Sequence, residues 1–169
     1  MFNKFYPDAY KNSAYEIDYN ELYQKGYRAI LFDIDNTLVP HGAPADQKAI
    51  ELFDMLHRIG FTTRLLSNNK EPRVKSFADQ VQSDYCYKAG KPSSKNYLHS
   101  MKILKTNQKN TLFIGDQIFT DILGAKNAGI KTILVRPIDK REEIQIVLKR
   151  IPEKLILFFY KKWDRKDGI

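Results

Sequence analysis

The chain has 169 residues, of which 43% are hydrophobic, and a formal net charge of +8. This composition fits one globular domain with a hydrophobic core. It contains no apolar run long enough to cross a bilayer, and its first residues lack the basic, apolar and small-residue order of a signal peptide. The single cysteine, Cys86, cannot form an internal disulfide, so we expect a reducing, cytoplasmic setting. The positive charge indicates an anionic partner, either a phosphorylated metabolite, nucleic acid or a membrane surface, although solubility alone would also explain it.

Residues 1–28 are rich in tyrosine and precede the first apolar strand. Asp18 is placed to cap a short helix that ends near Gly26. We predict that this N-terminal segment is a helical lid over one face or edge of a sheet, with its tyrosine hydroxyls in water.

Residues 29–140 alternate between apolar strand patterns and amphipathic helix patterns. Strands are predicted at Ala29–Phe32, Phe61–Leu66, Tyr85–Tyr87, Thr111–Ile114 and Lys131–Val135. Helices are predicted from about Asp46 to Ile59, from Pro72 through Val81, from a Ser93 cap through Leu104, and from the residues after Asp121 to Gly129. The strands have the continuous apolar character of strands buried on both faces. The alternation therefore predicts an α/β fold, a doubly wound, Rossmann-like parallel sheet in a single domain.

Four polar clusters follow the predicted strands. In chain order they are Asp33 with Asp35, Ser67 with Asn68 and Asn69, Lys91, and Asp116 with Asp121. Because the carboxyl ends of parallel strands lie at one edge of a sheet, we expect these clusters to converge there. Asp33 and Asp35 are two residues apart and point to the same side of an extended chain. Their carboxylates would repel each other unless a cation or a proton lay between them.

The acidic residues suit phosphoryl transfer at a metal ion. Asp33 can attack phosphorus as a nucleophile, and Asp35 can protonate the leaving oxygen and later activate water. Mg²⁺ prefers hard oxygen ligands. We expect these from Asp33, the backbone carbonyl of Asp35 and Asp116, with Asp121 orienting a metal-bound water from outside the coordination sphere.

The remaining clusters suit phosphate binding. Ser67 and the neighbouring amides of Asn68 and Asn69 can hydrogen-bond phosphoryl oxygens, and Lys91 can offset the charge of the phosphate and of Asp33. Three further polar residues lie near these clusters without a role that the sequence can assign, namely Lys70, Arg73 and His41.

These clusters, in this order, resemble the four motifs of the haloacid dehalogenase (HAD) superfamily of phosphatases across roughly residues 29–136. The sequence within the motifs resembles even more closely the capless, class III bacterial family called YqeG. The matching segments are Asp-Asn-Thr-Leu-Val-Pro (35–40), Ser-Asn-Asn (67–69), Ala-Gly-Lys-Pro (89–92) and Gly-Asp-Gln-x-x-Thr-Asp (115–121). That family is similar to the mitochondrial phosphatidylglycerophosphate phosphatases of fungi. The resemblance implies Mg²⁺-dependent removal of the terminal phosphate from phosphatidylglycerophosphate, an anionic phospholipid.

The spacing of the clusters leaves no room for a cap domain. About thirty residues separate Thr37 from Ser67, and the predicted turn, helix and strand account for all of them. The interval from Asn69 to Lys91 is equally full. A site without a cap stays open, so it can receive a headgroup that is still anchored in a bilayer.

Residues 141–169 differ from the rest of the chain, because apolar clusters alternate with lysines and arginines. This pattern is typical of an interfacial membrane helix, which would place the protein peripherally at the inner face of the membrane. The alternative is a terminal helix that packs on the sheet with its lysines in water.

Other functions remain open at this point. The same chemistry would serve a soluble phosphomonoester or a phosphoprotein. A phospho-acceptor signalling domain also uses an aspartate, a lysine and a metal on such a sheet, but Asp35 speaks against it, because a stable phospho-aspartate would not have an acid–base catalyst beside it. Nucleic acid is not expected, since no recognition motif for it is present.

Overall fold

A parallel six-stranded sheet forms the centre of the computed structural model, in which residues 2–139, 151–158 and 160 are described. The strands are β1 (Ala9–Lys11), β2 (Ala29–Phe32), β3 (Thr62–Leu66), β4 (Asp84–Cys86), β5 (Thr111–Gly115) and β6 (Lys131–Val135). Their order is β1-β6-β5-β2-β3-β4, and every neighbouring pair is parallel. The predicted doubly wound α/β fold is therefore confirmed.

The helices connect these strands as the apolar periodicity predicts. They are α1 (Tyr19–Gln24), α2 (Gln47–Ile59), α3 (Glu71–Val81), α4 (Lys95–Ile103), α5 (Leu123–Asn127) and α6 (residues 151–158). Helix α2 shows how local chemistry fixes the ends, because the Asp46 side chain accepts a hydrogen bond from Ala49 N and Gly60 ends the helix at a φ of 112°. Between the first polar cluster (Asp33 with Asp35) and the second (Ser67 to Asn69) the chain forms only a loop, α2 and β3, so no cap domain is inserted there.

The core has two layers because successive strand residues point to opposite faces. Ile30 and Phe32 of β2 pack with the apolar sides of α2 and α3. Leu31, between them in sequence, packs on the other face with Tyr97 of α4 and Ala125 of α5. Burial of β2 on both faces explains its uninterrupted apolar sequence.

The N-terminal segment does more than cover the sheet. Strand β1 pairs with β6 and extends the sheet by one strand, which its short sequence did not predict. The expectation that the tyrosine hydroxyls lie in water is wrong for two of them. Tyr19 donates to the Ala14 carbonyl over 2.7 Å, and Tyr15 donates to the Leu38 carbonyl over 2.5 Å. A buried hydroxyl needs such an acceptor. The Tyr19 bond lies within the segment, and the Tyr15 bond ties the segment to the loop after β2.

Two predicted helix starts differ in detail. Helix α4 begins at Lys95, so Ser94 holds the N-cap position, but the Ser94 side chain makes no capping bond and the predicted Ser93 hydroxyl accepts from Lys95 N over 3.4 Å. The helix predicted after Asp121 begins earlier, as a π-helix at Ile118–Ile122 that continues into α5.

The C-terminal prediction covers 141–169, and within it only 151–158 and 160 belong to the described residues. Helix α6 lies against the core, where Ile156 and Leu157 contact the cluster of Ile118, Ile122 and Leu134. In the part of the chain that the structure describes, no helix combines the length and apolarity needed to span a bilayer.

Candidate active site

The site forms where the strand order reverses, between β2 and β5. Strands β3 and β4 lie on one side of this point and β6 on the other, so the loops after β2 and β5 diverge and leave a crevice. Asp33 follows β2 and Asp116 follows β5. The Asp33 N–H donates to the Ile114 carbonyl over 3.0 Å, which holds the two loops together.

Three buried carboxylates meet in this crevice. Asp33, Asp116 and Asp121 each offer an oxygen within 4.8 Å of the others. The Thr37 hydroxyl lies 3.2 Å from Asp116 Oδ1 and 3.4 Å from Asp33 Oδ2, so one donor serves both acids. The structure brings together three of the four predicted acids, and the carboxylate of Asp35 lies outside this group.

Asp121 reaches the group because Gly115 makes room for it. A Cβ atom on Gly115 would lie 2.5 Å from Asp121 Oδ2, closer than such atoms approach. Asp121 Oδ2 also accepts from Gln117 N over 3.1 Å, and the Tyr97 hydroxyl lies 3.3 Å from the Asp121 carbonyl. The sequence predicts that Asp121 orients a metal-bound water from outside the coordination sphere, and this stays a prediction, since its carboxylate lies within 4.8 Å of the other two acids and also accepts from Lys91.

Lys91 lies between the acids. Its Nζ donates to Asp33 Oδ1 over 2.5 Å and to Asp121 Oδ1 over 2.7 Å, and 4% of its side chain is exposed. The loop that carries Lys91 is held by Asn68, whose Oδ1 accepts from Lys91 N and whose Nδ2 donates to the Lys91 carbonyl. Both ends of the Asn68 side-chain amide therefore position Lys91.

The second cluster supplies one further hydroxyl. Ser67 is buried at the end of β3, and its Oγ accepts from Asn69 N over 3.2 Å. Because the oxygen accepts this bond, its hydrogen is available as a donor toward the cavity that Ser67 lines.

Asp35 has surroundings unlike those of Asp33. Its carboxylate accepts from Gly42 N over 2.7 Å, from Asn69 Nδ2 over 2.6 Å and from Arg73 Nη2 over 2.9 Å. Gly42 and Arg73 lie outside the predicted clusters, and both donate to this acid. The sequence left Arg73 without a role, since nothing in its position showed that α3 points it at Asp35.

Burial and charge act on the acids and on the lysine in opposite ways. Burial, together with the nearby Asp121 and Asp35 carboxylates, raises the pKa of Asp33 to about 7, although Lys91 opposes the rise. Burial lowers the pKa of Lys91, but Asp121 and Asp33 outweigh it and hold that pKa above its ordinary value. Lys91 is therefore a permanent cation at neutral pH.

A cavity of about 220 Å³ opens above these groups. The catalytic candidates line it, and so do four residues that are not among the predicted phosphate ligands, namely Asn36, His41, Gln117 and Thr120. The Thr120 hydroxyl donates to Gln117 Oε1 over 3.2 Å, which fixes the orientation of the Gln117 amide. The sequence carried a signal for Gln117 and Thr120, because both stand inside the fourth motif.

The three acids fit a divalent cation. All their donor atoms are hard carboxylate oxygens, which Mg²⁺ prefers. Three carboxylates and the Lys91 ammonium leave a formal excess of two negative charges in a buried volume. One divalent ion would neutralise that excess.

A Rossmann-like sheet with this arrangement of acids and a lysine at its switch point defines a HAD-type phosphatase. Comparison with known proteins supports this class. Residues 88–145 match the model of the HAD-hydrolase-like family. The chain is 32% identical over 164 residues to "Probable phosphatase YqeG" of Bacillus subtilis (strain 168), covering 96% of this chain and 95% of that protein. The chain belongs to the YqeG family of the HAD superfamily.

A plant protein and a solved structure are more distant. The chain is 25% identical over 162 residues to phosphatidylglycerophosphate phosphatase 1, chloroplastic/mitochondrial, of Arabidopsis thaliana, covering 89% of this chain and 45% of that protein. The cobalt-bound deoxy-D-mannose-octulosonate 8-phosphate phosphatase of Haemophilus influenzae superposes with a TM-score of 0.51 at 15% identity, over 85% of this chain and 95% of that one. This second likeness shows the shared fold.

Proposed function

We propose that this chain is a Mg²⁺-dependent phosphatase that removes the terminal phosphate of phosphatidylglycerophosphate and leaves phosphatidylglycerol. The reaction passes through an aspartyl phosphate on Asp33. The observation that carries the proposal is the buried group of Asp33, Asp116 and Asp121 with Lys91 among them, at an edge of the sheet where the described residues form no cap domain.

Asp33 begins the reaction. A carboxylate oxygen of Asp33 forms a bond to phosphorus while the bond from phosphorus to the glycerol oxygen breaks. Lys91 favours the ionised form of Asp33, because its charge lowers the pKa that burial raises. Lys91 and the Ser67 hydroxyl also offset charge on the phosphoryl oxygens. A bound Mg²⁺ would add positive charge at the same oxygens.

Asp35 moves the protons. It gives a proton to the leaving glycerol oxygen, and in the second half it takes a proton from the water that attacks phosphorus. The bond between Asp33 and phosphorus then breaks, inorganic phosphate leaves, and both carboxylates return to their starting state.

Three features support the lipid substrate. The Arabidopsis relative is named for this reaction. The open site admits a phosphate that projects from a bilayer, and the net charge of +8 favours an anionic surface. This substrate would place the protein at the inner face of a membrane, in contact with the cytoplasm.

The test compares substrates at equal phosphate concentration. Purified protein with Mg²⁺ is assayed on detergent-dispersed phosphatidylglycerophosphate, glycerol 3-phosphate, sugar phosphates, nucleotides and p-nitrophenyl phosphate. We expect the largest kcat/KM for the lipid, and a loss of at least about 10³-fold in Asp33→Asn, which lacks the nucleophile. The matched control is Asp54→Asn, at an exposed aspartate on α2, which should retain full activity.

Each other outcome removes a separate part of the proposal. A clear preference for a soluble phosphomonoester or a phosphoprotein would overturn the lipid assignment and leave the catalyst standing. A protein that accumulates stable phosphate on Asp33 without turnover would instead be a phospho-acceptor domain. Full activity in excess EDTA would show that the reaction needs no metal ion.

A further inference from the structure

Helix α6 is fixed to the catalytic edge of the sheet. The carboxylate of Glu153 is buried and accepts a hydrogen bond from Ile118 N over 2.8 Å. Ile118 begins the π-helix two residues after Asp116. Ile156 and Leu157 add apolar contacts to the same π-helix. The helix is thus held beside the segment after β5 that carries Asp116 and Asp121.

The opposite face of α6 exposes large apolar side chains. Ile151, Leu155 and Phe158 are 61%, 56% and 67% exposed, more than any other large hydrophobic residue that the structure describes. Their spacing of four and then three residues places them on one side of a helix. Glu153, Ile156 and Leu157 occupy the other side, toward the core. We call Ile151, Leu155 and Phe158 the apolar stripe.

The charge of α6 and of the sequence that flanks it gives a reason to expect an anionic surface over the stripe. Lys154 is exposed on the same helix. In sequence, Lys149 and Arg150 precede α6, and Lys161 and Lys162 follow it. An apolar helix face with basic residues beside it is the pattern of a helix that lies in the interface of an anionic bilayer, with its apolar side chains among the acyl chains.

We propose that the apolar stripe seats the protein on an anionic lipid surface, with the catalytic edge toward the headgroups. This inference rests on the proposed function, because a lipid substrate gives the contact its purpose. The attachment of α6 to Ile118 makes the geometry useful, since a helix fixed beside the fourth motif keeps the open cavity near the surface that the stripe enters. The stripe itself takes no part in the chemistry.

The test measures binding and activity separately. Full-length protein is co-sedimented with vesicles of phosphatidylcholine alone and of phosphatidylcholine with 30% phosphatidylglycerol, a composition chosen as about the anionic share needed to attract basic segments. The stripe variant carries Ile151→Gln, Leu155→Gln and Phe158→Gln. The matched control replaces three exposed apolar residues elsewhere, Leu98, Ile103 and Ile138, by glutamine.

We expect the parent and the control to pellet with the anionic vesicles and to bind the neutral ones at least about tenfold more weakly, as a basic surface requires. The stripe variant should lose at least about tenfold of its partition onto anionic vesicles, since apolar burial drives interfacial binding. Its hydrolysis of p-nitrophenyl phosphate should be unchanged, which shows that it is folded, and its hydrolysis of vesicle-borne lipid phosphate should fall with binding.

Several results would overturn the proposal. Unchanged pelleting of the stripe variant, or an equal loss in the control, would remove the stripe as the contact. A dimer that forms without lipid and disappears in the stripe variant would assign the stripe to a second copy of the chain. If the parent binds through the stripe but hydrolyses no lipid phosphate, the proposed function fails while the surface stands. If the stripe variant loses activity on p-nitrophenyl phosphate, it is misfolded, and a second variant, Lys154→Glu, takes its place. Lys154→Glu should bind anionic vesicles more weakly and keep its activity on p-nitrophenyl phosphate. Binding equal to that of the parent would refute the proposal.

Discussion

Replacing Lys91 by methionine tests the charge balance on which the site depends. Lys91 Nζ contacts Asp33 and Asp121 within 2.7 Å, and 4% of its side chain is exposed. Methionine keeps most of the volume and removes the charge, so the three acids face one another without a cation. Breaking a buried ion pair from one side costs about 3–5 kcal/mol, a large share of the roughly 5–15 kcal/mol that stabilises a typical domain.

Magnesium should restore part of that loss. A ligand present at about 100 times its dissociation constant stabilises the folded state by about 2.7 kcal/mol. The variant has an excess of three negative charges where the parent has two, so it should bind the ion more tightly and gain more stability from it than the parent does. Activity should still fall by about 10²–10³-fold, the cost typical of one lost charge-stabilising donor.

The assay is denaturant unfolding at pH 8 in EDTA and in excess MgCl₂, with the rate on p-nitrophenyl phosphate measured beside it. Lys88→Met is the matched control, because Lys88 is exposed three residues earlier in the same loop, and its effect should stay within about 0.5 kcal/mol. If Lys91→Met were as stable as Lys88→Met in EDTA, or if magnesium stabilised the two variants equally, the reasoning about the buried charge would be wrong.

Three further predictions concern the neighbours of Lys91. Gly115→Ala places a Cβ 2.5 Å from Asp121 Oδ2; it should cost about 1–3 kcal/mol in stability and abolish most activity, and an unfolding curve and turnover rate equal to the parent's would show that the crevice has spare room. Arg73→Ala should lower kcat roughly tenfold and leave KM unchanged, since a positioned acid–base group contributes about 10²–10⁴-fold in rate. Arg73→Lys should restore part of the lost kcat. A change confined to KM would assign Arg73 to substrate binding instead. Because the folded protein raises the pKa of Asp33 from 3.8 to about 7, its proton stabilises the metal-free fold fully below about pH 4, and that contribution is lost as the pH rises through 7. Magnesium should therefore raise the melting temperature more at pH 8 than at pH 6, and an equal rise at both would contradict this.

The sequence predicted those parts of the fold whose pattern is set locally. Helix α2 follows from an Asp46 cap, an apolar stripe and a terminal Gly60, and β2 follows from an apolar run that only double burial explains. Strand β1 was missed because three residues of mixed polarity carry no periodicity, and its place beside β6 depends on a partner more than a hundred residues away.

The site divides in the same way. Asp33 and Asp116 were predictable, since parallel strands bring their carboxyl ends to one edge. The contacts that cross between elements were not. No spacing in the sequence shows that Arg73 of α3 reaches Asp35, or that the Asn68 side-chain amide makes hydrogen bonds to both the N–H and the carbonyl of Lys91. Such contacts depend on how one helix or loop packs against another, which the local pattern does not encode.

The surroundings of Asp33 and Asp35 suit the different roles that we propose for two acids so close in sequence. Asp33 faces other carboxylates and Lys91, which suits a nucleophile whose charge is balanced by cations. Asp35 accepts hydrogen bonds from Gly42, Asn69 and Arg73. That arrangement suits the second half of the proposed reaction, in which Asp35 would accept a proton from water. To give a proton in the first half, Asp35 must first hold one, and a donor must yield its place to the leaving oxygen. Asn69 and Arg73 donate from side chains, which can rotate, so entry of the substrate should displace one of them, and the loss of kcat in Arg73→Ala measures how much of the positioning of Asp35 depends on Arg73.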